Sequence, residues 1–485
     1  MATPIPPNRA TFTARAIAGA THALRSTFRG VDYPVVGVTT DSRAVVSGCA
    51  FVALRGERFD GHAFVGPAVA AGASVVVVEA GRIDGVDADI VEVKDTLSAW
   101  GGLARAHLHG WRRVSRGGRT VAITGSAGKT TTKEITAALL ATEGECHFTA
   151  GNLNNRIGLP AVALGLEVSH RFGVFEMGMS VPGEIASMAH IVDPDVAVIT
   201  NVGVAHAEGV GGSRRDVGRE KGALFEALRP DAVAIANLDD DVTMAQSSRT
   251  RAGRIESFGR SKSARYRLES RVPSGARGAR VRIERPDGGA IELDFPLIGE
   301  PAALDLVAAL AAAEAALLRP LDRTKVQAAV ASLPSLAGRG AVRVLGNGTL
   351  VIDDTYNANP ASMRAALSSL AEIAIPDRRR TVVVLGEMKE LGPLAETEHV
   401  ALGEQIAETK VRLAISCGGL MDRAIECAAA RGISTHKARS VEEAAEIALR
   451  EVRAGDAVLV KGSRSVGTER VVDALIKACG ARSVA

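Results

Sequence analysis

The chain has 485 residues, 46% hydrophobic and 23% charged, with a formal net charge of only +3. That length exceeds one ordinary hydrophobic core and predicts about two to four domains. The composition is that of a soluble globular protein, and the near-neutral balance excludes a global basic field suited to nucleic acid or an anionic membrane.

Short apolar strands alternate with turns up to about residue 93. Val35–Thr39 and Cys49–Leu54 flank the loop Thr40-Asp41-Ser42-Arg43, and an Ala-rich helical run at 63–72 leads to the strand Val75–Val78. Arg9, Arg15 and His22 interrupt the start of the chain, which argues against a secretory signal. Residues 97–111 have helical spacing. From 119 the pattern lengthens into β–α alternation, with strands expected at 120–124, 172–176, 195–200 and 231–236, which predicts a parallel sheet covered on both faces.

Between Arg249 and Arg285 there are twelve Lys or Arg against three Glu, but one Phe and one Tyr are too few to stack bases. Val281 and Ile283 alternate with Arg280 and Arg282, and Pro286-Asp287-Gly288-Gly289 then leads to Ile291, Leu293 and Phe295. This predicts a β-hairpin with a wet basic face, and no nucleic-acid partner. Ala302–Leu318 is the longest apolar stretch, yet it contains Asp305 and Glu314. It predicts a buried Ala-rich helix and no membrane insertion. A third alternating unit follows Gly338-Arg339-Gly340, with strands at 349–353, 380–385, 412–416 and 457–460 and helices at 361–373, 396–408, 420–431 and 441–453. It resembles a dinucleotide fold without the G-x-G-x-x-G fingerprint. Cys49, Cys146, Cys417, Cys427 and Cys479 are scattered without a C-x-x-C pair. They fit reduced thiols and a cytoplasmic protein.

The strongest chemical motif runs from Val121 to Thr131, where a strand ends in Gly125-Ser126-Ala127-Gly128-Lys129-Thr130-Thr131 and a helix begins. Amides at a helix N-terminus favour anionic oxygens, and glycines let the backbone approach them. Lys129 supplies a cation for the β/γ phosphates and the Thr130 hydroxyl a ligand for Mg²⁺. Ile123 stands where the general P-loop has its first glycine, so this is the shorter T-G-x-x-G-K-T form. Asn237-Leu238-Asp239-Asp240 lacks the Lys with which a GTPase reads guanine. Glu176 follows one apolar strand and His206 the next, while Lys221 lies near the start of a helix. In open parallel sheets the carboxyl ends of strands converge on the ligand crevice, and Mg²⁺ takes one or two carboxylates plus phosphates.

T-G-S-x-G-K-T-T, E-M-G at 176–178, N-V-G-x-A-H at 201–206, K-G at 221–222 and N-x-D-D at 237–240, in this order, resemble the central domain of the Mur ligases, relatives of the folylpolyglutamate synthetases. The resemblance covers nearly the whole chain. It implies an α/β protein of three domains: a small α/β UDP-binding domain at 1–93, a central P-loop parallel-sheet ATPase domain with a β-hairpin extension at 94–335, and a Rossmann-like domain at 336–485 for the incoming amine. It also implies an ATP-dependent ligase working through an acyl phosphate. Gly125 to Thr131 and Arg339 would hold ATP phosphates and Asp354 the ribose. Thr130, Glu176, His206 and Lys221 would hold Mg²⁺, with Lys221 carbamylated.

Further segments resemble the branch that adds D-alanyl-D-alanine to UDP-N-acetylmuramoyl-tripeptide. Thr40, Ser42 and Arg43 lie in a loop like that of a UDP-binding domain. Asn152, Asn154 and Asn155 belong to a substrate-facing loop, and Asp353-Asp354-Thr355-Tyr356-Asn357-Ala358-Asn359-Pro360 matches the branch's carboxy-terminal motif. Lys461 lies in Lys461-Gly462-Ser463-Arg464-Ser465. The implied substrate contacts are Thr40, Ser42, Arg43, Asn152, Asn154, Asn155, Tyr356, Asn357 and Lys461, in a monomer. The D-Y-A-H-T-P and D-N-P-R motifs of the tripeptide-forming relatives are absent. One departure concerns G-x-H-N-x-x-N, whose polar side chains lie near adenine. Here Gly299-Glu300-Pro301-Ala302-Ala303-Leu304-Asp305 lacks the His and the first Asn and has Asp at the second. Competing readings are a folylpolyglutamate-type ligase, a P-loop regulator without turnover and an RNA-binding protein.

Overall fold

A computed structural model describes residues 3–56, 59–83, 85–115, 117–204, 208–334 and 336–482. Three sheets organise the chain. The first has the strand order Arg25–Thr27, Asp89–Val93, Val75–Glu79, Ala50–Val52, Val38–Thr39, all parallel except the first. Val75 to Val78 are fully buried, which suits a strand covered on both faces. Each valine removed from water contributes roughly 1.5 to 3 kcal/mol.

The central sheet has nine strands. Cys146–Phe148, Phe172–Glu176, Arg119–Thr124, Val196–Ile199, Val233–Asn237, Arg254–Gly259 and Tyr266–Pro273 run parallel in that spatial order. Ala279–Glu284 and Ala290–Phe295 then continue it antiparallel. The extension is therefore a three-stranded meander rather than the hairpin alone. Tyr266–Pro273, where the basic residues masked the alternation, joins the hairpin to the parallel part. Val281 and Ile283 are buried while Arg280 and Arg282 face out. The basic stretch is largely neutralised, for Arg249, Arg254, Arg265, Arg267, Arg280, Arg282 and Arg285 each pair with a carboxylate.

The Ala-rich helix Glu300–Leu317 is buried along most of its length. Its Glu314 is matched by Arg285 and accepts a hydrogen bond from the Tyr266 hydroxyl. Small residues let it lie close to the P-loop helix Lys129–Ala141, with Leu306, Leu310, Leu139 and Leu140 in one core. Among the described residues no helix is long and apolar enough to cross a membrane.

The third sheet runs Ser434–Lys437, Leu413–Ser416, Thr381–Leu385, Ala457–Lys461, Leu350–Asp354, Ala341–Leu345, Ala481–Arg482. Its first five strands are parallel, and Ala341–Leu345 pairs antiparallel with both neighbours. The central meander grips this unit. Arg271 donates two hydrogen bonds, of 2.9 and 2.8 Å, to Glu372 on the helix Pro360–Ala374.

Candidate active site

Strand Arg119–Thr124 delivers the chain to the loop, and the helix Lys129–Ala141 starts immediately after Gly128. Gly128 has φ of +79°, and a Cβ there would overlap the Asp305 carboxyl group. Only glycine meets both demands without strain. The loop is braced from the next strand end. Asn201 Oδ1 accepts from the Ala127 amide (3.0 Å), its Nδ2 donates to Ala127 O (3.1 Å), and Thr200 Oγ1 donates to the same carbonyl (2.6 Å). Lys129 Nζ turns back and donates to Gly125 O at 2.7 Å. Burial pushes the Lys129 ammonium down and Arg339 adds to this, while Glu176 opposes it.

Glu176 ends the neighbouring strand and is 2% exposed. Its two oxygens are held by neutral donors, Thr130 Oγ1 and Asn154 Nδ2, each at 2.7 Å. A buried carboxylate with no cation in contact among the described residues fits a Mg²⁺ ligand, with the Thr130 hydroxyl beside it. No cluster of three or more His, Cys, Asp and Glu occurs among the described residues. Lys221 is 1% exposed, and no hydrogen-bond acceptor or carboxylate contacts its amine among the described residues. Burial, reinforced by Lys129, holds it well below the usual lysine range. His206 lies outside the described residues.

These groups face a cleft of about 590 Å³ shared by the central and carboxy-terminal units. Ser126 to Thr131, Asn152, Asn154, Asn155, Glu176 and Lys221 line one side. Arg339, Asp354, Tyr356, Asn357 and Lys461 line the other. Lys461 Nζ donates to Asp354 Oδ2 (2.6 Å) and Asn357 O (2.8 Å), and the Arg339 guanidinium lies 3.9 Å from the Tyr356 ring centroid. Asn155 Oδ1 accepts from the amides of Ile157 and Gly158, and Asn152 exchanges hydrogen bonds with Thr3.

A third wall is built from Ile298, Pro301, Ala302, Ala365 and Ala366, with Ser369 and Asp305 as its polar groups. Burial pushes the Asp305 carboxyl well above the usual range, against weaker opposing effects of Thr132 and Arg339. Thr40, Ser42 and Arg43 do not line this cleft. Arg43 is folded onto Asp41 in their own loop. Sequence reasoning passed over Asn201 and Thr200 as site residues. The signal available was Asn201 at the head of N-V-G, but its bracing role depends on a neighbouring strand 74 positions from Ala127.

Three family models match: "Mur ligase family, catalytic domain" over residues 34–108, "Mur ligase middle domain" over 123–313 and "Mur ligase, glutamate ligase domain" over 338–464. The chain is 35% identical over 459 residues to the UDP-N-acetylmuramoyl-tripeptide--D-alanyl-D-alanine ligase of Escherichia coli (strain K12), covering 94% of this chain and 97% of that protein. It is 35% identical over 486 residues to the Mycobacterium leprae (strain TN) protein of the same name, covering 90% and 92%. MurF from Acinetobacter baumannii superposes with a TM-score of 0.84 at 30% identity, covering 98% of this chain and all of that one. MurF ligase from Thermotoga maritima in complex with ADP gives 0.78 at 30% identity, covering 91% and 97%.

Proposed function

The chain belongs to the Mur ligase family, and from that premise we propose that it joins D-alanyl-D-alanine to UDP-N-acetylmuramoyl-tripeptide at the expense of ATP. The products are the UDP-muramoyl-pentapeptide, ADP and phosphate. The observation carrying this reading is the shared cleft, in which a P-loop and a buried carboxylate face Asn357 and Lys461 of another unit.

A carboxylate is a poor electrophile, so it first takes the γ-phosphoryl group and becomes an acyl phosphate. The dipeptide amine then attacks the acyl carbon, and phosphate leaves. Lys129 leaves Gly125 O to meet the phosphoryl oxygens, joined by amides at the helix start, and offsets charge as the group transfers. Arg339 is suited to a phosphate and Asp354 to the ribose. Asn152, Asn154 and Asn155 are assigned to the muramoyl peptide. Tyr356, Asn357 and Lys461 are suited to orient the dipeptide. Thr40, Ser42 and Arg43 are assigned to the UDP end, away from the reacting atoms. Mg²⁺, when bound by Thr130, Glu176, His206 and Lys221 with phosphate oxygens, supplies charge neutralisation for phosphoryl transfer. The two-sided cleft excludes water that would otherwise hydrolyse the acyl phosphate.

Lys221 is proposed to be carbamylated. A buried, uncharged amine is the form that adds to CO₂, and loss of a proton gives an anionic carbamate with two oxygens, the ligand type Mg²⁺ prefers. Nucleotide-linked substrates suit a cytoplasmic enzyme, and one chain supplies both sides of the cleft, as a monomer would need. The test is ADP release with each substrate omitted in turn. Release is expected only with both present. Equal release without either, or turnover with folate and glutamate instead, removes the assignment.

A further inference from the structure

A second concavity, of about 770 Å³, opens at the other end of the carboxy-terminal sheet. It lies where the strands beginning at Thr381, Leu413 and Ser434 start, whereas Lys461, at the carboxyl end of its strand, faces the catalytic cleft. A five-residue strand puts about 16 Å between the two ends. Six cationic side chains line the cavity: Arg378, Arg379, Arg380, Lys410, Arg412 and Arg453. Arg379 donates to Gly348 O and Gly455 O, and Arg380 donates to Glu451 O, so these two secure the framework. Among the described residues the side chains of Arg378, Lys410, Arg412 and Arg453 have no hydrogen-bond or ion-pair partner, although the Arg453 amide donates to Asp456 Oδ2 and the Arg412 amide to Thr381 Oγ1. The contrast with the basic meander is direct, since there most arginines have a carboxylate.

The backbone adds an independent observation. Four helices, Pro360–Ala374, Ala395–Glu408, Met421–Ala430 and Val441–Glu451, return to the sheet at this end. Two of the returns pass through left-handed glycines, Gly432 at φ +85° and Gly455 at +83°. The other two place Arg378 (φ +50°) and Lys410 (φ +54°) in that conformation. Glycine is the ordinary residue for such a position. The chain instead carries a cation at both returns, and both line the cavity. The helix C-termini there bring only about half a negative charge each, which the cations outnumber. Among the described residues Glu451 is the one carboxylate in the lining, while Asp377 and Asp456 pair with the framework residues Arg379 and Arg380.

We propose that this cavity binds a small anion carrying at least two phosphoryl groups, held by Arg378, Lys410, Arg412 and Arg453. Its size falls within the usual range for a small-molecule site. Ile375, 72% exposed, supplies an apolar surface beside the cations, which leaves room for an organic group. The helix Pro360–Ala374 touches both sites, Ala361 to Ser369 lining the catalytic cleft and Ala371 and Ala374 this cavity.

The test titrates inorganic pyrophosphate, and separately ADP, into full-length Lys129→Ala protein, in which the P-loop is weakened. The same titrations follow with Arg378→Gly and Lys410→Gly added. Glycine suits both backbones, so thermal unfolding should show a fold at least as stable. Binding should weaken at least tenfold with the two glycines and weaken with added salt. Tighter ADP than pyrophosphate would identify a nucleotide-type ligand, and equal affinities an inorganic one. Absence of binding to Lys129→Ala protein, or affinity unchanged by the glycines, would overturn the proposal. So would attachment to phosphatidylglycerol vesicles with neither phosphate bound.

Discussion

Two walls of one cleft differ in how they are built. On the phosphate side, the polar groups of the loop and of Glu176 already have partners: Lys129 on Gly125 O, Thr130 and Asn154 on Glu176, Asn201 on both polar backbone atoms of Ala127; Lys221 alone of the groups discussed there has none among the described residues. On the wall of Ile298, Pro301, Ala302, Ala365 and Ala366, two polar side chains, Asp305 and Ser369, stand among small apolar ones. Charge that develops during phosphoryl transfer needs groups fixed in advance, because reorganising them would add to the barrier. A flat base needs mainly a surface. The first wall therefore tolerates little change in sequence, and the second tolerates considerable change.

The sharpest way to break this contrast is Lys221→Ala. Nearly complete loss of turnover is expected, with part of the rate restored by an added short-chain carboxylate that occupies the vacated position. Full activity, or a bare ammonium in a structure with Mg²⁺ bound, would remove Lys221 from the site. Lys129→Ala and Glu176→Ala should each lower kcat by about 10²-fold or more. Their unfolding midpoints should change little, since both residues serve the site. A folded variant with near-normal kcat would place that residue outside the chemistry.

Gly128→Ala sharpens the comparison where the two walls meet. Its left-handed backbone costs an L-residue about 1 to 2 kcal/mol, and the new methyl meets Asp305. Nucleotide affinity and thermal stability should fall together, and Asp305→Ala in the same chain should restore part of each. No recovery would mean that backbone strain alone accounts for the loss.

The smallest effect is expected for Asp305→Asn, read by separate ATP and GTP kinetics. KM for ATP should fall a few-fold with GTP little changed, and no change for either would mean that adenine is held elsewhere. Stability gives a second readout. The Asp305 carboxyl is held protonated above the usual range in the folded chain, whereas the unfolded chain ionises near pH ~4. The unfolded state therefore binds fewer protons in that window, so stability falls as pH rises above ~4. Asparagine has no such penalty, and its advantage in melting temperature should grow with pH.

Most of the fold was legible because long apolar strands and helical spacing are local signals. The strands expected at 380–385 and 457–460 are found as Thr381–Leu385 and Ala457–Lys461. Ser434–Lys437, a polar edge strand, offers no apolar run to read. Tyr266–Pro273 hides its alternation among arginines whose carboxylate partners lie elsewhere in the chain. The same holds within the site. The P-loop is contiguous and declares itself, but the pair of Lys461 with Asp354 spans 107 positions. Asp305 was visible as a departure from the family pattern. That it presses on Gly128 depends on how closely an Ala-rich helix approaches the loop, which no local pattern encodes.

Lys129 resting on Gly125 O also bears on how fast nucleotide is captured. Clearing the loop requires one side chain to change rotamer, while loop backbones and domains move in nanoseconds to milliseconds. The lysine needs no movement of the loop backbone to make way. The tempo of nucleotide entry is left to diffusion and to the slower opening between the two units that share the cleft.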